Sequence, residues 1–153
     1  MKIKRELCSF DMVLKLVEMS GKLSCDLDGG GCGQINQICH TLWCLPHVFI
    51  IVLDWQNTAE SFYDISATMS TLSSELDLSL LFHGYQPGNE YFHVSMVCFS
   101  GDLQHYICFI YSHELGKYVL RDDLNVKVIG SWNDVIAFCL RMCLKPSILF
   151  FQV

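Results

Sequence analysis

The apolar positions change period several times along the chain, and each change marks an element. Phe10, Val13, Leu14 and Val17 recur at helical spacing. With Ser9 as cap and Gly21 as stop they predict a helix over 9–21. Residues 47–55 (HVFIIVLDW) are β-branched and nearly continuous, which predicts a strand buried on both faces. A helix with a polar start is expected over 58–72, and alternation over 76–83 predicts a strand or extended segment. The turn sequence GYQPGNE then leads into strands at 91–99, 105–112, 117–121 and 125–129. Ser131, with Asp134 three residues on, predicts a capped helix over 131–143, and 147–152 closes as a strand. Antiparallel strands with helices placed before them and near the end make an α+β arrangement.

Composition narrows the class. The chain is 52% hydrophobic and 17% charged, more apolar than an average soluble domain. A membrane span is excluded, because the longest apolar stretch, Leu45 to Leu53, is interrupted by Pro46 and His47 and falls far short of ~20 residues. The basic start, MKIKREL, has no apolar region behind it, so an intracellular protein of cytoplasm or nucleus is expected. A net charge of −6 with only ten Lys plus Arg argues against nucleic acid as a partner. The length suits one domain, 1–153, and the nine cysteines read as reduced thiols.

The sharpest chemistry lies in QHYICFIYSHELGKYVLRDDLNV, residues 104–126. His105 opens an apolar strand, a tight turn at His113–Gly116 reverses the chain, and the return ends in Asp122-Asp123. Residues equidistant from a hairpin turn face one another, so His105 and Asp122 should meet at its open end. A carboxylate that accepts from imidazole Nδ1–H would leave Nε2 free as a base. The plainer alternative is a surface histidine beside an acidic turn. Alternation puts Tyr106 and Cys108 on one face of the strand, Ile107 and Phe109 on the other. Trp55, Tyr106, Phe109 and Tyr111 are expected in the core rather than at a contact surface.

The His-Tyr at a strand head, the hairpin, Gly-Lys-Tyr before the return and Asp-Asp before a valine strand resemble the histidine box of ubiquitin-specific proteases. These are papain-like deubiquitinating enzymes. Pro46-His47-Val48-Phe49, running to Asp54-Trp55, is similar to the strand after their finger region. The likeness covers about Phe10 to Phe151 and is strongest to the plant carboxyl-terminal-hydrolase-related proteins.

The resemblance implies the second, sheet-bearing lobe of such an enzyme, with the first lobe missing. Residues 9–21 would be a helix, 22–45 a remnant of the finger region and 46–153 the palm with its histidine box. His105 would be the general base, Asp122 its orienting carboxylate and Asp123 an assisting group. Ubiquitin or ubiquitinated proteins would be the partners.

The resemblance also breaks. The Gly-Asn-Thr-Cys-type box that carries the family's nucleophile is not in these 153 residues. Cys8 precedes the first helix, where a thiol's pKa is lowered, but lacks the Asn and Gly context of an oxyanion hole. Cys98, Cys108, Cys139 and Cys143 read as small core residues. Cys25 and Cys32, in CDLDGGGCG, look like half of the family's four-cysteine zinc site, and Cys39, His40 and Cys44 fit no zinc spacing. No bound cofactor is therefore expected. The implied function is a deubiquitinase-like thiol peptidase domain inactive as this chain; the alternative is a non-catalytic ubiquitin-binding or scaffold module.

Overall fold

A computed structural model describes residues 10–19, 22–37, 41–55, 61–82, 88 and 90–153. The elements run α1 Phe10–Met19, β1 Lys22–Ser24, β2 Ile35–Gln37, β3 Val48–Val52, α2 Phe62–Thr71, β4 Glu75–Asp77 and α3 Leu78–Leu81. They continue with β5 Glu90–Ser100, β6 His105–Ser112, β7 Lys117–Asp122, β8 Asn125–Gly130, α4 Trp132–Arg141 and β9 Leu144–Gln152. The α+β expectation holds. β1 and β2 form a separate antiparallel ribbon, and the other strands form one sheet in the order β3-β9-β5-β6-β7-β8, with β4 also beside β5. Every pairing is antiparallel.

Parity along the strands decides what is buried. Met96 and Cys98 of β5, Ile107 and Phe109 of β6, Leu120 of β7 and Leu149 and Phe151 of β9 face one side. Ile65 and Met69 of α2, and Val135 and Cys139 of α4, close over that side to make the core. Phe10 of α1 stacks on Phe151, with ring centroids 6.3 Å apart. The opposite face carries Val48, Ile50, Val52, Phe92, Tyr106, Ile110, Val126 and Val128, all exposed. The high apolar fraction of the chain is thus split between a core and an open sheet face. No described helix is long and apolar enough to cross a membrane.

Several expectations shift. The strand expected to be buried on both faces is, among the described residues, a sheet edge paired only with β9, and its residues alternate between core and solvent. A continuous apolar run cannot reveal how many neighbours a strand will have. The extended segment over 76–83 splits into β4 and a one-turn α3, because Asp77 caps the turn by accepting from Ser79 N at 2.8 Å. The helix expected from 58 begins at Phe62 with Ser61 as its cap. Ser9 and Gly21 lie outside the described residues.

The expected cap of α4 is present as a reciprocal box. Ser131 N and Oγ both donate to Asp134 Oδ2, at 2.8 and 2.7 Å. Gly130 precedes it with φ +133, and a Cβ there would lie 2.4 Å from that same Oδ2. Gly130→Ala is therefore expected to strain the backbone and break the box, costing about 2 kcal/mol or more. A thermal melt lowered by several degrees would bear this out; an unchanged melt would count against it.

Candidate functional site

β5, β6 and β7 present the site at one end of the sheet. The pairing of β6 with β7 runs from Ser112 opposite Lys117 to Cys108 opposite Arg121. One step further sets Asp122 across from Ile107, so His105 is its diagonal neighbour on the same face. His105 Nε2 lies 2.7 Å from Asp122 Oδ1, and the two side chains are 34% and 30% exposed. The hairpin thus brings together the two residues singled out from its sequence.

One detail of that expectation is corrected. The nitrogen facing the carboxylate is Nε2, not Nδ1. The contact is diagonal, and Nε2 is the ring nitrogen farther from the backbone, the one able to span it.

Asp122 raises the His105 pKa through its hydrogen bond, helped by the Leu103 backbone and by the charges of Asp122 and Asp123. Partial desolvation opposes this more weakly. A raised imidazole pKa means that the ion pair stabilises the fold at lower pH. That contribution is lost as pH climbs through the folded-state pKa of His105. Ligand atoms of His105, Asp122 and Asp123 all lie within 4.8 Å of one another. They are the described residues best placed to hold a divalent cation, which would displace the proton of His105.

The turns that aim these groups have a signature the sequence hid. Gln104 (φ 55) and Asp123 (φ 50) are left-handed without being glycine, one just before His105 and one just after Asp122. Gln104 Nε2 ties back to Gly101 O at 2.5 Å. Asp123 and Leu124 form the two-residue connection between β7 and β8, where Asp tolerates positive φ.

The thiols are dispersed. Cys98 and Cys139 are buried in the core, and burial together with their mutual contact pushes Cys98 well up. Cys108 lies three residues along β6 from His105, an odd offset, so alternation turns it to the opposite, open face. Cys143 is not a core residue but exposed, at the turn after α4. Tyr106 also departs from expectation, being exposed beside Phe99, whereas Phe109 is core. Trp55 and Tyr111 are half-buried, and Trp55 Nε1 donates to Pro146 O at 2.6 Å. Cys8, Cys39 and His40 lie outside the described residues.

The ribbon of β1 and β2 does bring Cys25 and Cys32 together. Cys32 N donates to Cys25 Sγ at 3.4 Å, and hydrogen bonds from the Gln34 backbone and Cys25 lower the Cys32 pKa. A Cβ on Gly31 would meet Cys25 Sγ at 2.5 Å, so glycine is required there. Structural zinc takes four ligands. Among the described residues no group of three or more donors includes these two thiols. They do not by themselves fit the metal.

Comparison with known proteins identifies the family. The family model described as ubiquitin carboxyl-terminal hydrolase matches residues 10–151. Human ubiquitin carboxyl-terminal hydrolase 53 is 33% identical over 125 residues, covering 78% of this chain and 11% of that protein. Rat ubiquitin carboxyl-terminal hydrolase 54 is 27% identical, covering 78% and 8%. The chain therefore spans about a tenth of these relatives. Among solved structures, the Saccharomyces cerevisiae Pan2 pseudoubiquitin hydrolase-RNA exonuclease module aligns over 99% of this chain and 27% of its own, with TM-score 0.59 and 17% identity. The SAGA Ubp8/Sgf11/Sus1/Sgf73 DUB module aligns over 86% and 28%, with TM-score 0.55 and 17% identity. These likenesses share the antiparallel sheet with flanking helices seen here. With the family model matching nearly its whole length, the chain belongs to the ubiquitin carboxyl-terminal hydrolase family.

Proposed function

We propose that this chain carries the histidine–carboxylate half of a thiol-hydrolase site of the deubiquitinating type. On this reading His105 is the base and Asp122 its orienting partner. Asp123 adds negative charge that favours the imidazolium formed when a thiol gives up its proton. The 2.7 Å contact between His105 Nε2 and Asp122 Oδ1, in a chain matched to the family over 10–151, carries the reading. The partner is ubiquitin or a ubiquitinated protein, and the protein works inside the cell. Without a nucleophile box in its 153 residues, the chain does not cleave ubiquitin conjugates alone.

Ubiquitin bearing a fluorogenic amide at its C-terminus tests this. The expected rate equals that of the His105→Ala variant, at background. Release well above that variant would overturn the proposal of inactivity. The second reading, a non-catalytic ubiquitin-binding module, is favoured by the uncovered apolar sheet face, since large exposed apolar patches mark interaction surfaces. Chemical shifts that move at Tyr106 and Val126 on adding ubiquitin would support it.

A further inference from the structure

The β6–β7 hairpin has two ends. The open end holds His105 and Asp122. The closed end borders a separate cavity of about 520 Å³, lined by Tyr111, Tyr118, Trp132, Ser131 and His93 among others. None of the residues proposed for hydrolysis contributes to it.

His93 is the unusual member, because it is 2% exposed. The Tyr118 hydroxyl donates to the His93 carbonyl at 2.9 Å and also lies 3.1 Å from His93 Nδ1. A phenol has one hydrogen. With that hydrogen on the carbonyl, the oxygen must accept from Nδ1, which places the imidazole proton there. Nε2 is left as a bare acceptor, and it is buried with no partner among the described residues. Burial lowers the pKa of the ring to about 3, so it stays uncharged at physiological pH. A buried acceptor without a donor is costly, and a ligand N–H would remove that cost.

The walls say what kind of donor. Trp132 lies 4.4 Å from the His93 ring and 5.7 Å from Tyr118, and Tyr111 lies 5.2 Å from Tyr118, all between centroids. Such a cluster of ring faces attracts a cation. The start of α4 is not open to an anion, because Ser131 N and Oγ are already bound to Asp134. Those bonds hold the Asp134 carboxyl below its usual range, so a negative charge stands directly behind a cavity residue. A flat cation rich in N–H donors suits these walls, and guanidinium is that group.

We propose that this cavity binds the arginine side chain of a basic partner segment, its guanidinium against Trp132 and Tyr118 and one N–H donated to His93 Nε2. The chain's net charge of −6 favours approach of such a segment.

The test is a titration of the ¹⁵N-labelled full chain with acetyl-Gly-Gly-Arg-Gly-Gly-amide, followed by NMR. Saturable shifts are expected at the Trp132 indole and the His93 ring nitrogens. The same peptide with citrulline keeps three of the five side-chain N–H donors and loses the charge, and should bind about fivefold or more weakly. His93→Phe keeps the ring and loses the acceptor, and should weaken binding similarly. Tyr111→Leu, at a half-buried position, gives the same readout should His93→Phe not fold. No saturable shift at Trp132, or equal binding of the citrulline peptide, would overturn the proposal.

Discussion

Phe109→Ala is expected to abolish cooperative folding. Phe109 is 0% exposed at the middle of β6, between Met96 of β5 and Leu120 of β7. Phe138 of α4 meets its ring edge-on, with centroids 5.8 Å apart. Truncating a buried phenylalanine costs about 3–5 kcal/mol, in transfer free energy and in the cavity left behind. A typical domain has only ~5–15 kcal/mol in total. This one also leaves Val48, Ile50, Val52, Tyr106 and Val126 of its sheet exposed, apolar area that adds nothing to that total. Tyr106→Ala is the matched control. That residue is on the same strand but 62% exposed, and its loss should cost under about 1 kcal/mol. Circular-dichroism melts of the two variants measure the contrast. A cooperative Phe109→Ala transition close to wild type would mean the core is not where the register puts it.

The second large effect is an all-or-none one. Ubiquitin carrying a thiol-reactive group at its C-terminus is expected to form no covalent adduct with this chain. Cys98 and Cys139 are enclosed, and burial raises Cys108. Among the described residues Cys32 is an exposed thiol whose pKa is lowered by hydrogen bonds, but it sits in the ribbon loop beside Cys25 rather than in the hairpin of His105. A small alkylating agent should therefore modify Cys32 readily while the ubiquitin reagent leaves the chain unmodified. Mass spectrometry reads both results. An added ubiquitin mass that disappears in His105→Ala would show that one of the cysteines serves as nucleophile, with Cys8 the first to map.

The sequence was most readable where local chemistry alone decides the outcome. The β6 boundaries, 105–112, match, because an apolar run flanked by turn residues leaves one choice. The Ser131–Asp134 box matches for the same reason. Where neighbours decide, the reading failed. The apolar run at β3 looks like a central strand, yet its position at the edge depends on β9, a hundred residues away. β9 itself starts at Leu144, three residues before the expected 147, and runs through Pro146. A bulge at Val97/Cys98 accommodates it, and the Pro146 carbonyl accepts from Trp55 instead. The β1–β2 ribbon escaped notice because its strands are three residues each.

The site shows the same division. That His105 and Asp122 would meet followed from counting back from a hairpin. Which ring nitrogen would meet the carboxylate did not, because it depends on the diagonal offset between strands. Nor did the positive φ of Gln104 and Asp123, since neither position is a glycine. The cavity at the other end was hidden more deeply. Its key group, the unpartnered Nε2 of His93, is set by a tyrosine 25 residues on.

The most direct measurement is the NMR titration of the His105 ring in the wild-type chain and in Asp122→Asn. Pairing of His105 with Asp122 requires a midpoint raised above the usual histidine value in the wild type, and a fall when the carboxylate is neutralised. His93 should stay uncharged throughout the range, as an internal reference. A His105 midpoint that does not move in Asp122→Asn would contradict the account, leaving a surface histidine beside an acidic turn.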